Sequence, residues 1–295
     1  MSAEITTAPR RAQAVDLTGC DGASEAFVRI VQECTEHWQV NEAAVLAGRT
    51  PENLHQMRVG IRRLRSAFSL FRPVLSAVPA AEIVAHGLRA AALPFGRARD
   101  LDVLLSGPLA ADLDSAQLDG LRTEREAAYD DVIAILRSPE WGQVRADLDA
   151  FVEAAPWGLA ADPAPDVLAD AALTKRRRRV VKGGADLRAL TSHARHEVRI
   201  EAKKLRYGSE FFASVYADSG LVVDKPSGTV LTGGFAYAYL VEQVTDSLGQ
   251  LNDHATAGGL LATVGAQAPS ISEDALLGEA QDAITRLAAT PAFWV

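Results

Sequence analysis

The chain has 295 residues, of which 48% are hydrophobic and 23% are charged, and its formal net charge is −8. This length allows a sizeable core, and the composition is typical of a soluble globular protein. No apolar run approaches the roughly 18 residues of a membrane span, and no apolar region follows Arg10 and Arg11 as in a secretory signal. Only Cys20 and Cys34 are present, which excludes a disulfide framework. We therefore expect a cytoplasmic protein whose two thiols are structural.

Apolar residues recur with a period near 3.6 along almost the whole chain, and the breaks fall at Pro or Gly. The pattern predicts an all-α protein in which residues 1–21 form a flexible N-terminal tail. Thr50 with Pro51, and Ser192, are the expected N-terminal caps. Helices are predicted over residues 23–47, 51–71, 80–92, 98–107, 115–137, 140–154, 166–182, 192–216, 236–250, 253–263 and 273–289.

A Pro-rich segment at residues 154–166 is the best candidate for a linker, because it contains Pro156, Pro163 and Pro165 and nearly bisects the chain. It divides the chain into one half over residues 22–155 and a second half over residues 166–295.

A basic motif occurs once in each half, which indicates an internal repeat. The segment His55–Arg65 aligns with His196–Arg206 at a shift of 141 residues, and the His and every basic position match in kind. The motifs lie in basic surroundings, since residues 53–81 carry a net charge of +5 and residues 175–206 carry +9. The rest of the chain therefore carries −22, and the average charge hides two strongly basic segments.

A second pair of segments repeats at a different shift. Phe95–Asp100 aligns with Leu248–Asp253 at a shift of 153 residues, and Trp141 aligns with Trp294 at the same shift. The difference between the two shifts places an insertion of 12 residues in the second half. Residues 218–234 supply Gly, Pro, Ser and Thr, so we expect a mobile loop there.

Each copy of the basic motif places one imidazole and three basic side chains on a stripe roughly 80° wide, at about 100° per residue of helix. Apolar residues fill the adjoining arc and are expected to face the core. Arg63 and Lys204 lie on the flanks of the stripes. The stripe residues, which are the leading candidates for ligand binding, are His55, Arg58, Arg62, Arg65, His196, Arg199, Lys203 and Arg206.

Stacked like charges cost a few tenths of a kcal/mol per pair, and the first copy has no Glu at helical spacing to offset them. A bound polyanion would do so, because Arg and Lys form charge-assisted hydrogen bonds with phosphate. The alternative is that each stripe is a solvated charged face whose partners are side chains of other helices. The recurrence of a His at the same position of the stripe in both halves favours a ligand. A phosphate beside the imidazoles would favour their protonated form.

Several further features allow more than one interpretation. The run Lys175–Arg179 has the composition of a nuclear-localisation or nucleic-acid patch, but within a helix only about two of its side chains could join one pocket. We retain Arg63, Lys204, Arg99, Arg176 and Arg179 as additional candidates.

The repeated aspartates, Asp100 and Asp253, are expected to cap helices or pair with the stripes rather than act in catalysis. Trp141 and Trp294 are expected to anchor the core. His196 forms an HxxH pair with His193 but lacks a third ligand nearby, so we expect neither a metal nor another cofactor.

The motif His-x-x-Arg-x-x-x-[Arg/Lys]-[Arg/Lys]-Leu-Arg, present in both halves, resembles that of the CHAD family, the conserved histidine α-helical domain. Asn41-Glu42, the two Gly-x-x-x-Asp segments and Lys204–Tyr207 are also similar to that family, from about Gly22 to the end of the chain. The resemblance implies two helical bundles of about four main helices each, related by a pseudo-twofold axis. It also implies basic helices that face a central pocket and bind inorganic polyphosphate.

Two departures accompany this resemblance. Many relatives carry a CYTH triphosphatase domain, whose ExExK signature is absent here, so the chain resembles the stand-alone form. Gln250 and Asn252 replace Arg97 and Arg99 in the second half, which makes that rim less cationic.

The leading hypothesis is a non-catalytic polyphosphate-binding module whose further partners are polyphosphate granules or a polyphosphate-metabolising enzyme. A nucleic-acid or nucleotide-phosphate binder is the alternative, because phosphate backbones satisfy similar electrostatics. Neither stripe interleaves exposed aromatic residues for base stacking, which argues against nucleic acid. A phosphohydrolase with a His nucleophile or acid is a third hypothesis, for which the sequence shows no metal-binding carboxylate cluster.

Overall fold

A computed structural model describes residues 8–76, 78–154, 162–269 and 272–295, and it confirms the all-α prediction. Most of the linker, residues 155–161 with Pro156, lies outside the described residues, as do residues 1–7 of the N-terminal segment. The helices of the first half are α1 (Ala23–Gly48), α2 (Pro51–Leu70), α3 (Arg72–Leu75), α4 (Pro79–Ala92), α5 (Phe95–Ser106), α6 (Ser115–Leu136) and α7 (Pro139–Ala154). Those of the second half are α8 (Pro165–Gly183), α9 (Ser192–Phe211), α10 (Gly233–Thr263) and α11 (Glu273–Ala289).

Most predicted helix boundaries are correct to within a few residues, but two details were wrong. Helix α10 is continuous where a break was predicted between residues 250 and 253, since no Pro interrupts the helix there and Gly249 lies within it. The cap of α9 is Thr191, whose side chain accepts a hydrogen bond from Ala194 N, and not Ser192. Thr50 does precede α2 with Pro51 in the first turn, although its side chain forms no cap hydrogen bond.

The insertion in the second half, where the sequence predicted a mobile loop, contains a β-hairpin. Strand β1 (Val222–Asp224) pairs antiparallel with β2 (Val230–Thr232), and the turn between them uses a left-handed Gly228 with φ of 82°. Gly233 and Gly234 at the end of the predicted loop already belong to α10.

The two halves repeat the same internal packing. Helix α1 packs on α2 as α8 packs on α9, and α2 meets α9 across the middle of the molecule. Phe71 and Phe212, which are equivalent at the shift of 141, stack on each other with centroids 5.7 Å apart. This is the arrangement expected for residues next to a pseudo-twofold axis.

The recurring glycines explain how the two repeated motifs come together in each half. A Cβ at Gly96 of α5 would lie 3.8 Å from Arg58 Nη1, and a Cβ at Gly249 of α10 would lie 3.1 Å from Arg199 Nη2. Each glycine thus leaves room for the guanidinium of the motif helix to lie against the neighbouring helix. Because the same pair of motifs meets in both halves, the alignment at two shifts describes a structural repeat.

The predicted core anchors are buried as expected. The side chains of Trp141 and Trp294 are almost completely buried. Trp141 Nε1 and Trp38 Nε1 both donate to the buried carboxylate of Glu42, at 3.1 and 2.6 Å. Trp294 Nε1 donates to Thr174 Oγ1 at 3.0 Å. These hydrogen bonds satisfy the indole N–H groups within the core.

The described part of the N-terminal segment packs against the helices, where the sequence predicted a flexible tail. Val15 and Leu17 are buried, and Leu17 N donates to Ser214 Oγ at 2.9 Å. Arg10 pairs with Glu36 of α1 at 2.7 Å. Two buried apolar side chains and these polar contacts hold residues 8–21 on the bundle.

None of the helices in the described part of the chain combines the length and the apolar character needed to cross a membrane.

Candidate functional site

The stripe on α2 lies beside the core-facing side of that helix. Met57, Ile61 and Leu64 are fully buried, as the periodicity predicted. Arg58 and Arg62, one helical step away, are half-buried between α2 and its neighbours. The apolar face therefore fixes the orientation of the helix and leaves the stripe in the interface between the halves.

The equivalent stripe on α9 meets the first stripe across this interface. Lys203 lies near Arg62, Arg199 and Arg58, and none of these four side chains forms an ion pair with a described residue. Burial, followed by the charges of Arg62 and Arg199, lowers the pKa of Lys203 to about 6. We refer to Arg58, Arg62, Arg199 and Lys203 as the central cluster.

The central cluster has unfavourable electrostatics in the free protein. Burial and the neighbouring Arg62 lower the pKa of Arg58 to about 10, and Arg58 Nε is buried without a hydrogen-bond partner among the described residues. Burial likewise lowers the pKa of Arg199, whose Nε donates to Thr245 O at 3.3 Å. Buried cations that lack carboxylates are costly unless a ligand supplies the negative charge.

His55 and Arg99 lie at one edge of the central cluster. Burial and then the charge of Arg99, with smaller contributions from Arg62 and Arg58, lower the pKa of His55 to about 4. The imidazole is therefore neutral at pH 7 in the free protein, and the protonated form expected beside phosphate requires the ligand to be present.

A groove of about 1250 Å³ opens beside the central cluster, between α2, α4 and α9. We call it the basic groove, because its basic lining residues are Arg62, Arg65, Arg72, Arg89, Lys203 and Lys204. Burial and the charges of Arg89 and Arg62 lower the pKa of Arg65. Arg62 and Lys203 belong both to this groove and to the central cluster, so the cluster is accessible from the groove.

Three predicted site residues, Arg63, Arg206 and Arg176, are held by carboxylates of the protein instead. Arg63 is almost completely buried, forms ion pairs with Glu210 and Glu33, and lies over the rings of Tyr207 and Phe211. Although burial alone would lower its pKa, the charge of Glu210 raises it. Arg63 therefore fastens α2 to α9 and is not free to bind a ligand.

Arg206, the equivalent of Arg65, is also paired. It contacts Glu210 at 3.2 Å and Glu242 at 3.0 Å. Arg65 has no such partner among the described residues, which makes the two stripes functionally unequal: the first faces an open groove and the second is closed by carboxylates of α9 and α10.

Arg176, Arg179 and Lys204 surround Glu201. Arg176 is buried and donates to Glu201 at 2.7 Å and to Ser69 O at 3.0 Å, whereas Arg179 and Lys204 are more accessible and lie 3.3 and 2.8 Å from Glu201. Burial would raise the pKa of Glu201, but hydrogen bonds from Lys204 and Arg176 lower it to about 2. Arg176 is therefore structural, while Arg179 and Lys204 remain at the rim.

His196 is exposed, and no hydrogen bond or ion pair connects it with the described residues. The structure does not bring it into the central cluster, in contrast to His55. The His at the same phase in both halves thus occupies two different environments, because α9 begins close to solvent.

The repeated aspartates lie inside helices, so neither caps a helix end. Burial raises the pKa of Asp100, and the charge of Arg58 opposes this effect. Asp253 influences Arg199 and Lys203 electrostatically. Both carboxylates therefore lie near the central cluster but beyond ion-pair distance. The described residues hold no cluster of three or more His, Cys, Asp or Glu side chains suited to a metal ion.

Sequence reasoning missed three basic groove residues. Arg72 was visible as part of the basic segment over residues 53–81, but it lies just beyond the end of α2. His86 and Arg89 of α4 line the groove as well. No repeat signal could identify them, because the second half has the hairpin and the start of α10 where the first half has α4.

Comparisons with known proteins find similarity over most of the chain. A family model described as the CHAD domain matches residues 29–262. The crystal structure of the CHAD domain from the plant Ricinus communis is 31% identical and superposes with a TM-score of 0.72, covering 97% of this chain and 93% of that chain. PptA from Streptomyces chartreusis, at 16% identity and a TM-score of 0.52, shares the fold over 91% of this chain and 96% of its own. No curated protein matches the chain.

Proposed function

Because the chain belongs to the CHAD family, we propose that it binds inorganic polyphosphate in the basic groove and at the central cluster without changing the ligand chemically. The observation that carries this proposal is the central cluster itself. Two halves of the chain bring Arg58, Arg62, Arg199 and Lys203 together, and none has a carboxylate within ion-pair distance in the described part of the chain.

The chemistry of polyphosphate fits such a cluster. Each unit of the polymer carries negative charge and several acceptor oxygens, and guanidinium groups bind phosphate through paired, charge-assisted hydrogen bonds. A ligand with a regular charge along its length can contact the stripes of α2 and α9 together. Its binding would replace the mutual repulsion of the cluster by attraction, which favours the bound state.

The lining of the basic groove favours polyphosphate over nucleic acid. Phe68 is the only Phe, Tyr or Trp that lines the groove in the described part of the chain, and its ring is almost completely buried. Base stacking on exposed aromatic rings contributes about 1–3 kcal/mol per base in proteins that bind single strands. Without such rings the groove offers contacts only to the phosphate backbone. We also propose that the protein acts in the cytoplasm and associates with polyphosphate granules, because such a ligand would be found there.

Calorimetric titration with tripolyphosphate and with long-chain polyphosphate, at two salt concentrations, tests the proposal. We expect binding that salt weakens, that single-stranded DNA does not displace, and that releases no phosphate. The double variant Arg58→Glu/Arg199→Glu should lose binding while its helical content is retained.

The matched control is Arg122→Glu/Arg137→Glu, which changes the net charge equally at two exposed positions that do not line the groove, one on α6 and one just after its last residue. This control should bind normally. Displacement by DNA would favour the nucleic-acid alternative, and release of phosphate would favour the phosphohydrolase. Unchanged binding by the double variant would refute the assignment of the central cluster.

A further inference from the structure

Helix α8 carries a band of cations that the central cluster does not include. Lys175, Arg178, Arg179 and Lys182 fall within an arc of roughly 100° on this helix, next to its buried face. All four are exposed, and no acidic residue occurs between Asp170 and Asp186. We call these four residues the α8 band.

The α8 band is continuous with the basic groove. A side groove of about 390 Å³ is lined by Lys175 and Arg179 from α8 and by Arg72 and Lys204. Arg72 and Lys204 also line the basic groove. A path lined with cations therefore leads from the central cluster, past Arg72, and onto the outer surface of α8.

Most of the band is not occupied by protein partners. Arg179 lies 3.3 Å from Glu201, but Lys175, Arg178 and Lys182 form no ion pair within the described residues. Helices usually intersperse such cations with carboxylates at the spacing of three or four residues, which stabilises the helix. Here the side chains remain available for an external anion.

The band exists only in the second half of the chain. At the shift of 141 its equivalents in α1 are Cys34, His37, Trp38 and Asn41, all of which are buried. The path is thus not a consequence of the repeat. The path leaves the central cluster in one direction. From Lys175 to Lys182, helix α8 lengthens the path by about 10 Å, at 1.5 Å per residue.

Building on the proposed function, we propose that the α8 band is a second binding segment for polyphosphate, which engages only chains long enough to leave the basic groove. Short chains are held by the central cluster alone. Long chains contact both sites at once, so the second contact is intramolecular and strengthens binding without a change at the first site. The protein therefore discriminates polyphosphate by length.

The test compares tripolyphosphate with long-chain polyphosphate for Lys175→Glu/Lys182→Glu. Both positions are exposed on α8, so the helical content should be unchanged. At low salt we expect the affinity for long chains to fall about tenfold, with a weaker salt dependence because fewer cations contact the ligand. The affinity for tripolyphosphate should stay within about twofold of the original protein. The control is again Arg122→Glu/Arg137→Glu, which should change neither affinity.

The outcomes separate this inference from the proposed function. If the original protein binds tripolyphosphate and long chains, but the α8 variant loses no more affinity for long chains than the control does, the α8 band is refuted and the central cluster stands. An equal loss of affinity for both ligands also refutes the inference. The α8 band would then act through the overall electrostatic field of the protein and not through direct contact with long chains. If the original protein binds neither ligand, the proposed function itself fails.

Discussion

Removing the charge of Arg58 and removing the charge of Arg63, both on α2, should change the stability of the free protein in opposite directions. Arg58 belongs to the unpaired central cluster, whereas Arg63 is held by Glu210 and Glu33. Arg58→Gln should therefore stabilise the free protein, and Arg63→Gln should destabilise it. Both substitutions remove one charge from α2 and keep a polar side chain of moderate length, so they form a matched pair.

The expected gain in stability for Arg58→Gln follows from the lowered pKa of Arg58. Burial and Arg62 lower the pKa of Arg58 from its ordinary value to about 10, which at about 1.4 kcal/mol per unit of pKa corresponds to roughly 3 kcal/mol of unfavourable interaction. Lost packing of the guanidinium offsets part of this amount, which leaves about 1–2 kcal/mol. With an unfolding entropy near 0.6 kcal/mol/K for a chain of this length, Tm should rise by about 2–3 °C.

The expected loss of stability for Arg63→Gln is larger than the gain for Arg58→Gln. Removing one partner of a buried ion pair leaves the other charge uncompensated and costs about 3–5 kcal/mol. Tm should then fall by about 5–8 °C. The uncompensated group is the carboxylate of Glu210, although Arg206 remains beside it and keeps the loss towards the lower end of this range.

Thermal unfolding followed by circular dichroism, with and without tripolyphosphate, measures both effects. The ligand should raise Tm of the original protein and of Arg63→Gln, because it binds the folded state, but it should raise Tm of Arg58→Gln much less. A fall in Tm for Arg58→Gln without ligand would show that Arg58 is a structural residue. A rise in Tm with a normal response to tripolyphosphate would show that Arg58 repels its neighbours but does not contact the ligand.

Two further predictions concern protonation and packing. Burial and neighbouring cations hold the pKa of Lys203 at about 6 in the free protein, and a bound polyanion would raise it, so binding near pH 7 should take up a proton and weaken as the pH rises above about 6. Calorimetry in two buffers of different ionisation enthalpy should give different heats, and Lys203→Met should reduce the difference, because only proton uptake by His55 then remains; equal heats for the original protein would contradict the assignment. In the core, a Cβ at Gly60 would lie 2.9 Å from Trp38 N, so Gly60→Ala should lower the free energy of unfolding by about 1–3 kcal/mol despite the higher helix propensity of Ala. Denaturant titration measures this loss, and an unchanged midpoint would mean that α1 and α2 can separate without cost.

The faces of the motif helices could be predicted because they depend only on local periodicity. Met57, Ile61 and Leu64 had to lie on one side of α2, and their burial places Arg58 and Arg62 at the interface. The repeat added a second constraint, since equivalent helices must meet near a common axis, as Phe71 and Phe212 do. These arguments need no knowledge of distant contacts.

The flanking residues could not be assigned in this way. Arg63 and Lys204 occupy equivalent positions in the repeat, yet Arg63 pairs with Glu210, 147 residues away, whereas Lys204 pairs with Glu201 in its own helix. The partner of Lys204 exists because Glu201 occupies the position equivalent to Gly60, which in the first half permits the close approach of α1 to α2. A single substitution between the halves thus changes the partners of several cations.

The sequence by itself determined the helical class, the internal repeat, the core-facing sides of the helices and the two basic stripes, because each depends on spacing along the chain. Only the tertiary structure decided which cations remain unpaired, that α4 forms a wall of the basic groove, and that this groove continues to Lys175 and Arg179 of α8. The physical reason is that an ion pair or a groove depends on distances of a few ångströms between segments far apart in the chain. Those distances are set by the packing of all the helices together.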